Sequence, residues 1–340
     1  MSKRGIILMN LGSPDSTAVI DLKKYLTEFL MDERVIDKPF IYRTLLVKGI
    51  IVPFRAKNSA EAYEKIWMKN GSPLIILTNG LQKALQAEMP ETIEVSMRYG
   101  KPDPQTAYEN LLKSNPDLEE VILVPLYPHY AMSSYETAVE YMKKVYAKNK
   151  YSFALKTVPP FYNHPAYINA LAENIQSNLP QKFDRLLFSY HGIPERHIYK
   201  TDKTNSNHNL SDKEKCCDNP EAQKTCYRYQ VMETTRLVTE QLGLDKSKYQ
   251  ISYQSRLGRD PWLQPNTQDI LPKFVSKGVF NLAVVCPSFV SDCLETLEEI
   301  DIRGREDYLQ SGGKSFTYIP CLNVNNVWVK ALQQIINETK

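Results

Sequence analysis

Short, unbroken apolar runs recur along this chain, each followed by a stretch whose apolar residues keep helical spacing. Strands with no polar face must be covered on both sides, and a parallel sheet with helices packed on each face meets that condition. Residues 5–10 form the first run, and residues 93–98, 121–126 and 153–158 follow in the first half. Between them, Val19, Leu22, Leu26, Phe29 and Leu30 share a helical face, and residues 60–68, 74–87, 105–113 and 135–146 also read as helices. Pro159-Pro160 breaks the pattern, and the second half repeats it with strands near Leu186, Ile251, Leu282 and Ser315. The expectation is an α/β protein of two similar domains, residues 1–158 and 159–320, with a C-terminal helix over residues 321–340. A length of 340 residues suits two domains.

The halves echo one another in order. Gly12-Ser13-Pro14 ends the first strand of one half and Gly192-Ile193-Pro194 that of the other, Arg98-Tyr99-Gly100 is answered by Arg256-Leu257-Gly258, and Glu136-Thr137 by Glu295-Thr296. Where the second half has His191, the first has Leu11. Two related domains facing a central cleft, with the chemistry on one wall, would account for that difference.

The 42 basic and 39 acidic residues leave a charge of +3, too near neutral to favour nucleic acid as a partner. The basic start, Met1-Ser2-Lys3-Arg4, precedes an apolar run too short for a secretory leader, and six cysteines in so long a chain suit a reducing compartment, so a cytoplasmic location is expected. Residues 40–54 are apolar but carry Arg43, Lys48 and Pro53. They are too short and too charged to span a bilayer, and suit a lip in peripheral contact with lipid or an apolar substrate. No G-x-G-x-x-G or Walker loop occurs, which argues against nucleotide chemistry.

Leu186-Leu187-Phe188-Ser189-Tyr190 leads directly into His191. In open α/β sheets ligands bind at the carboxyl ends of strands, where an imidazole can accept a proton or ligate a metal. After the run at residues 282–286, Asp292-Cys293-Leu294-Glu295 reads equally as a capping box and as the start of an acidic face, Asp292, Glu295 and Glu299, that can hold or pass on a cation. Imidazole with carboxylate suits Fe(II) or Zn(II). Tyr253 to Trp262, Arg98-Tyr99 and Leu126-Tyr127-Pro128-His129-Tyr130 supply aromatic faces and guanidinium groups for a planar ligand bearing carboxylates. The alternative for the arginines is that they tie loops to the body of the fold.

At these residues the chain resembles the ferrochelatases, which insert ferrous iron into a porphyrin in haem synthesis. The motifs are Ser189-Tyr190-His191-Gly192-Ile193-Pro194, Tyr253 to Trp262 and Ser291-Asp292-Cys293-Leu294-Glu295-Thr296-Leu297-Glu298-Glu299, with Met9-Asn10-Leu11-Gly12, Gly71-Ser72-Pro73, Met97-Arg98-Tyr99-Gly100 and Leu126-Tyr127-Pro128 in the family order. The resemblance implies two Rossmann-like, chelatase-type domains around a porphyrin cleft. His191 and Glu295 would be the catalytic and iron-contacting pair, with Asp292 and Glu299 delivering metal. Asn10, Leu11, Ser72, Arg98, Tyr99, Tyr127 and Trp262 would be the porphyrin contacts. Fe(II) and porphyrin are then substrates, protoporphyrin IX being the expected ring. Cys293 departs from the histidine that many members carry there, which bears on the metal's route. Some members hold a [2Fe–2S] cluster through cysteines of an internal insertion, and Cys216, Cys217 and Cys226, with His208 as a fourth ligand, are the candidates here. A cobalt or nickel chelatase and a non-catalytic haem or iron carrier are the alternatives.

Overall fold

A computed structural model describes residues 3–205, 208, 210, 218–258 and 260–339. The chain forms two compact units. One comprises Met1–Leu126, Met132–Pro159 and Leu332–Lys340, and the other Tyr127–Ala131 and Pro160–Ala331.

In the first unit, β1 (Arg4–Gly12), β2 (Thr92–Tyr99), β3 (Glu120–Pro125) and β4 (Ala154–Thr157) make a parallel sheet in the order β2-β1-β3-β4. Residues Ile6, Ile7, Leu8 and Met9 are fully buried, as a central strand flanked by helices on both faces must be. In the second, β5 (Arg185–His191), β6 (Tyr249–Gln254), β7 (Asn281–Val285) and β8 (Ser315–Ile319) repeat that order as β6-β5-β7-β8, again all parallel. The expected α/β class and the duplication are both present.

Two of the three echoes survive as structure. A Cβ on Gly12 would lie 1.7 Å from the Tyr99 carbonyl oxygen, and one on Gly192 would lie 2.7 Å from that of Gln254. In each unit a glycine thus stands at the end of the first strand, Gly12 as the last residue of β1 and Gly192 as the residue after β5, because the backbone of the second strand leaves no room for a side chain. Glu136 ends a π-helical turn, Met132–Glu136, and Glu295 precedes another, Leu297–Gly304, so that pair occupies comparable ground after the third strand of each sheet. The arginine echo is corrected, because Arg98-Tyr99 closes β2 whereas Arg256-Leu257 lies past the end of β6.

Residues 40–66 are helical throughout, as Phe40–Thr44, a π-turn Leu45–Ile51 and Val52–Ile66. The terminal helix runs Asn326–Glu338. It begins later than expected because a turn precedes it, closed by Asn325 N–H on the Leu322 carbonyl over 2.9 Å with Asn323 in the left-handed region at a φ of 48°.

Candidate active site

His191 is the last residue of β5, half-buried, with its ring 6.1 Å from Phe289 in an edge-on arrangement. Three other segments meet it at the carboxyl ends of the neighbouring strands. Gly192 N–H donates to the Gln254 carbonyl over 2.6 Å, closing β5 onto β6. Gln254 Nε2 then donates to the Glu295 carbonyl over 2.7 Å, and its Oε1 accepts from Ser189 Oγ over 2.7 Å. Trp262 covers Gly192, with ring carbon Cε3 only 3.3 Å from where a Cβ would sit, and its indole N–H is buried without a partner among the described residues.

Glu295 and Glu299 follow β7. Glu295 is half-buried beside the Cys293 thiol, whose pKa is pushed well up by burial and then by the Glu295 carboxylate, so Cys293 stays a neutral thiol. Glu299 is buried, its Oε1 accepting from Ser255 N–H over 2.8 Å and from Gln268 Nε2, its Oε2 from Ser255 Oγ over 2.5 Å. Burial raises the Glu299 pKa, against the pull of the Ser255 hydroxyl and the nearby His191 imidazole. Ser255 reaches both oxygens from a left-handed backbone, φ 64°. This is a strained conformation of the kind that clusters at functional sites.

The acidic row proposed from helical spacing is corrected at its first member. The helix begins at Leu294, with Cys293 as N-cap and Thr296 completing the capping box, so neither Asp292 nor Glu295 plays the capping role that their spacing suggested. Asp292 faces away into the body of the unit. Its Oδ1 accepts from Thr296 Oγ1 at 2.9 Å and from Tyr318 Oη at 2.5 Å, and its Oδ2 from Asn323 Nδ2 at 2.6 Å. With both oxygens so occupied, Asp292 fastens the start of the helix.

Two first-unit residues expected at the porphyrin have partners within their own unit. The Arg98 guanidinium pairs with the buried Asp32 carboxylate, donates to Thr137 Oγ1 over 2.8 Å and lies between the rings of Tyr99 and Tyr141, 4.3 and 4.4 Å from their centroids. Tyr99 is fully buried and donates to the same Asp32 oxygen over 2.9 Å. Burial alone would raise the Asp32 pKa, but hydrogen bonds from Thr137, the Arg34 backbone and Tyr99, with the Arg98 charge, hold it below the ordinary value. Arg98 and Tyr99 are thus engaged within the first unit through Asp32 and Thr137. Asn10 is likewise committed, donating to Thr78 Oγ1 over 3.0 Å and accepting from Leu11 N–H over 2.8 Å. Leu11 is half-buried, and Ser72 stands at the N-cap of Pro73–Glu88 without a capping bond from its hydroxyl. Tyr127 is buried in the second unit.

Of the cluster candidates, Cys216 and Cys217 lie outside the described residues. The Cys226 thiol is 3.9 Å from His208 Nδ1, while His208 Nε2 meets Asp202 at 3.0 Å. Among the described residues no group of three or more His, Cys, Asp and Glu is arranged to hold a metal ion. Gln254 and Ser255, which tie the two glutamates to the β5 end, were not singled out from the sequence. They fall inside the Tyr253–Trp262 stretch, Gln254 as the last residue of β6 and Ser255 as the first beyond it.

An imidazole and two carboxylates at the carboxyl ends of a parallel α/β sheet are groups that can exchange protons or meet a metal ion. The profile of the ferrochelatase family matches residues 3–340. The ferrochelatase of Opitutus terrae is 46% identical over 327 residues, covering 95% of this chain and 94% of that protein, and that of Pseudomonas aeruginosa PAO1 is 42% identical over 336 residues, covering 98% of each. The chain belongs to the ferrochelatase family, lyases that metallate a porphyrin in haem synthesis. Among solved structures, SirB from Bacillus subtilis, determined with Fe3+, superposes with a TM-score of 0.54 at 11% identity, covering 98% of this chain and 96% of that one, a likeness of fold alone.

Proposed function

We propose that the chain inserts Fe(II) into protoporphyrin IX, with His191 as the acceptor of the pyrrole protons and Glu295 contacting the iron. Metallation replaces two N–H protons by one divalent ion, so two protons must leave as the metal arrives. A half-buried imidazole can take a proton and pass it to solvent. Glu299 is the group to which protons or metal pass next, because its carboxyl is buried, raised in pKa and close enough to feel the His191 charge. Trp262 and Tyr127 are assigned as aromatic contacts of the ring, and Leu11 and Ser72 are retained as further contacts. The observation that carries this reading is the linkage of His191, Glu295 and Glu299 through Gln254 and Ser255. The deciding experiment mixes purified protein with Fe(II) and protoporphyrin IX without oxygen and follows haem absorbance. Absence of haem with both substrates bound would count against it.

A [2Fe–2S] cluster or a zinc ion is proposed as ligated by Cys226 and His208 together with Cys216 and Cys217. Supporting this, the Asp202 carboxylate engages one ring nitrogen of His208 and leaves the other turned to the thiol, the orientation metal-ligating imidazoles adopt. Such a group would supply stability rather than chemistry at His191. Acid-labile sulfide and metal content in anaerobically purified protein test it. A cytoplasmic location is proposed from the buried, unoxidised thiols of Cys286, Cys293 and Cys321. Peripheral membrane contact is proposed through Phe40, Ile41, Tyr42, Leu45, Ile50 and Phe54, all exposed.

A further inference from the structure

The peptide of His191 is held by a closed circuit of hydrogen bonds that the metallation chemistry does not itself require. His191 N–H donates to Ser288 Oγ over 3.2 Å, the Ser288 and Tyr227 hydroxyls are 2.8 Å apart, and Tyr227 Oη donates to the His191 carbonyl over 2.8 Å. A carbonyl only accepts, so the single Tyr227 proton is committed there and the Ser288 proton must point to Tyr227. The circuit therefore runs in one sense, from His191 N–H to Ser288, from Ser288 O–H to Tyr227, and from Tyr227 O–H back to His191. Burial raises the Tyr227 pKa, so its hydroxyl keeps the proton that closes the circuit.

His129 braces this arrangement. Its ring meets Tyr190 and Tyr227 edge to face, with centroids 5.4 and 5.9 Å away. Thr234 Oγ1 donates to the Tyr162 carbonyl over 2.7 Å, so His129 Nε2, 3.0 Å from that hydroxyl, must be the donor between them. Nδ1 is then unprotonated, and it is buried without a partner among the described residues. Burial lowers the His129 pKa to about 3, so the ring stays neutral and serves as a wedge between two tyrosines.

We propose that Tyr227 and Ser288 are positioning residues for the His191 imidazole, fixing the peptide from which that side chain springs, and that His129 keeps Tyr227 in place. The proposal rests on the assignment of His191 as proton acceptor. The clamp joins three separate parts of the unit, the end of β5, the loop after β7 and the first residue of the helix Tyr227–Gln241. A peptide free to rock would spread the imidazole over several directions, and a misplacement of about 1 Å can cost on the order of a hundredfold in rate.

The test compares Tyr227→Phe, Ser288→Ala and the double variant in the full chain, with Fe(II) and protoporphyrin IX under anaerobic conditions. Porphyrin affinity and thermal unfolding are measured in parallel. Each single change is expected to lower kcat about tenfold while the porphyrin KM holds within about twofold. The double variant should be no slower than the slower single, because a circuit broken once is already open. Wild-type kcat in Tyr227→Phe, or losses that multiply in the double variant, would overturn the proposal. If Tyr227→Phe does not fold, Ser288→Ala alone decides, by the same kcat criterion. His191→Ala separates the two levels of inference. Full turnover there removes the proton-acceptor assignment itself, whereas an inactive His191→Ala beside a fully active Tyr227→Phe defeats only the clamp.

Discussion

Glu295 and Glu299 stand one helical turn apart in different surroundings, and they should respond differently to losing their charge. The folded protein holds a proton on Glu299 up to a higher pH than the unfolded chain does, because burial raises that pKa. Stability from this site is therefore present at low pH and is lost as pH rises through the raised value. Glu299→Gln keeps an oxygen for Ser255 N–H and Gln268 and gives Ser255 Oγ a donor. The variant should melt higher than wild type near about pH 8, the gap closing toward about pH 4, while its apparent iron affinity falls; differential scanning fluorimetry across pH checks this. Glu295→Gln should instead leave the melting temperature almost unchanged and lower turnover on the order of a hundredfold, since its side chain is not the cap. A fully active Glu295→Gln protein would remove Glu295 from the chemistry. Arg98→Ala should act on folding. Breaking its buried pair with Asp32 is expected to cost about 3–5 kcal/mol in denaturant unfolding, with porphyrin affinity of the folded fraction preserved. A selective loss of porphyrin affinity would return Arg98 to the binding set.

At the scale of elements, the strands were the most legible parts. A buried parallel strand leaves no room for polar alternation, so the runs at residues 5–10 and 186–190 announce themselves. The helices after β3 and β7 were less legible. Each contains a π-turn, whose wider winding has no separate signature in apolar spacing, and extending regular helical geometry back to Asp292 put that residue on the wrong face. The clamp on His191 was not legible at all, since Tyr227 and Ser288 reach backbone atoms far away in sequence and their own neighbours carry no pattern for it. Gly192 shows the opposite case, a local sequence feature with a long-range reason. In Gly192→Ala the new methyl meets the Gln254 carbonyl, a backbone atom that cannot swing aside. The ends of β5 and β6 should part, costing about 1–3 kcal/mol, and Gln254 should lose its hold on the Glu295 carbonyl. The expected outcome is a folded protein with turnover reduced well beyond the loss of folded fraction, measured by activity against circular dichroism on the same sample.

At the scale of the whole chain, two sheets of one strand order follow from the repeated alternation of apolar run and helix, and the Pro159-Pro160 break coincides with the point where the second compact unit takes over. What the repeat leaves unexplained is the segment over residues 40–57. Its fold is helical, yet Phe40, Ile41, Leu45 and Phe54 are each about two-thirds or more exposed, at 66, 74, 68 and 75%. Apolar exposure on that scale costs solubility unless something covers it. Between Lys38 and Lys57 the segment also carries exposed Lys48 and Arg55 and no acidic residue, whereas the Arg43 guanidinium is buried on the Ile36 and Lys38 carbonyls. Apolar side chains beside an unopposed basic charge suit the interface of an anionic bilayer, where the rings enter the headgroup region and the cations meet lipid phosphates. Among the described residues no helix is long and apolar enough to cross a membrane. Wild-type protein should co-sediment with vesicles containing phosphatidylglycerol, less with purely zwitterionic vesicles, and less again as salt is raised. Replacing Phe40, Ile41 and Phe54 together by serine should abolish co-sedimentation while leaving kcat with detergent-dispersed porphyrin unchanged, because none of the three is assigned to handling the protons or the metal. Co-sedimentation that persists in the triple variant would place the membrane contact elsewhere on the chain.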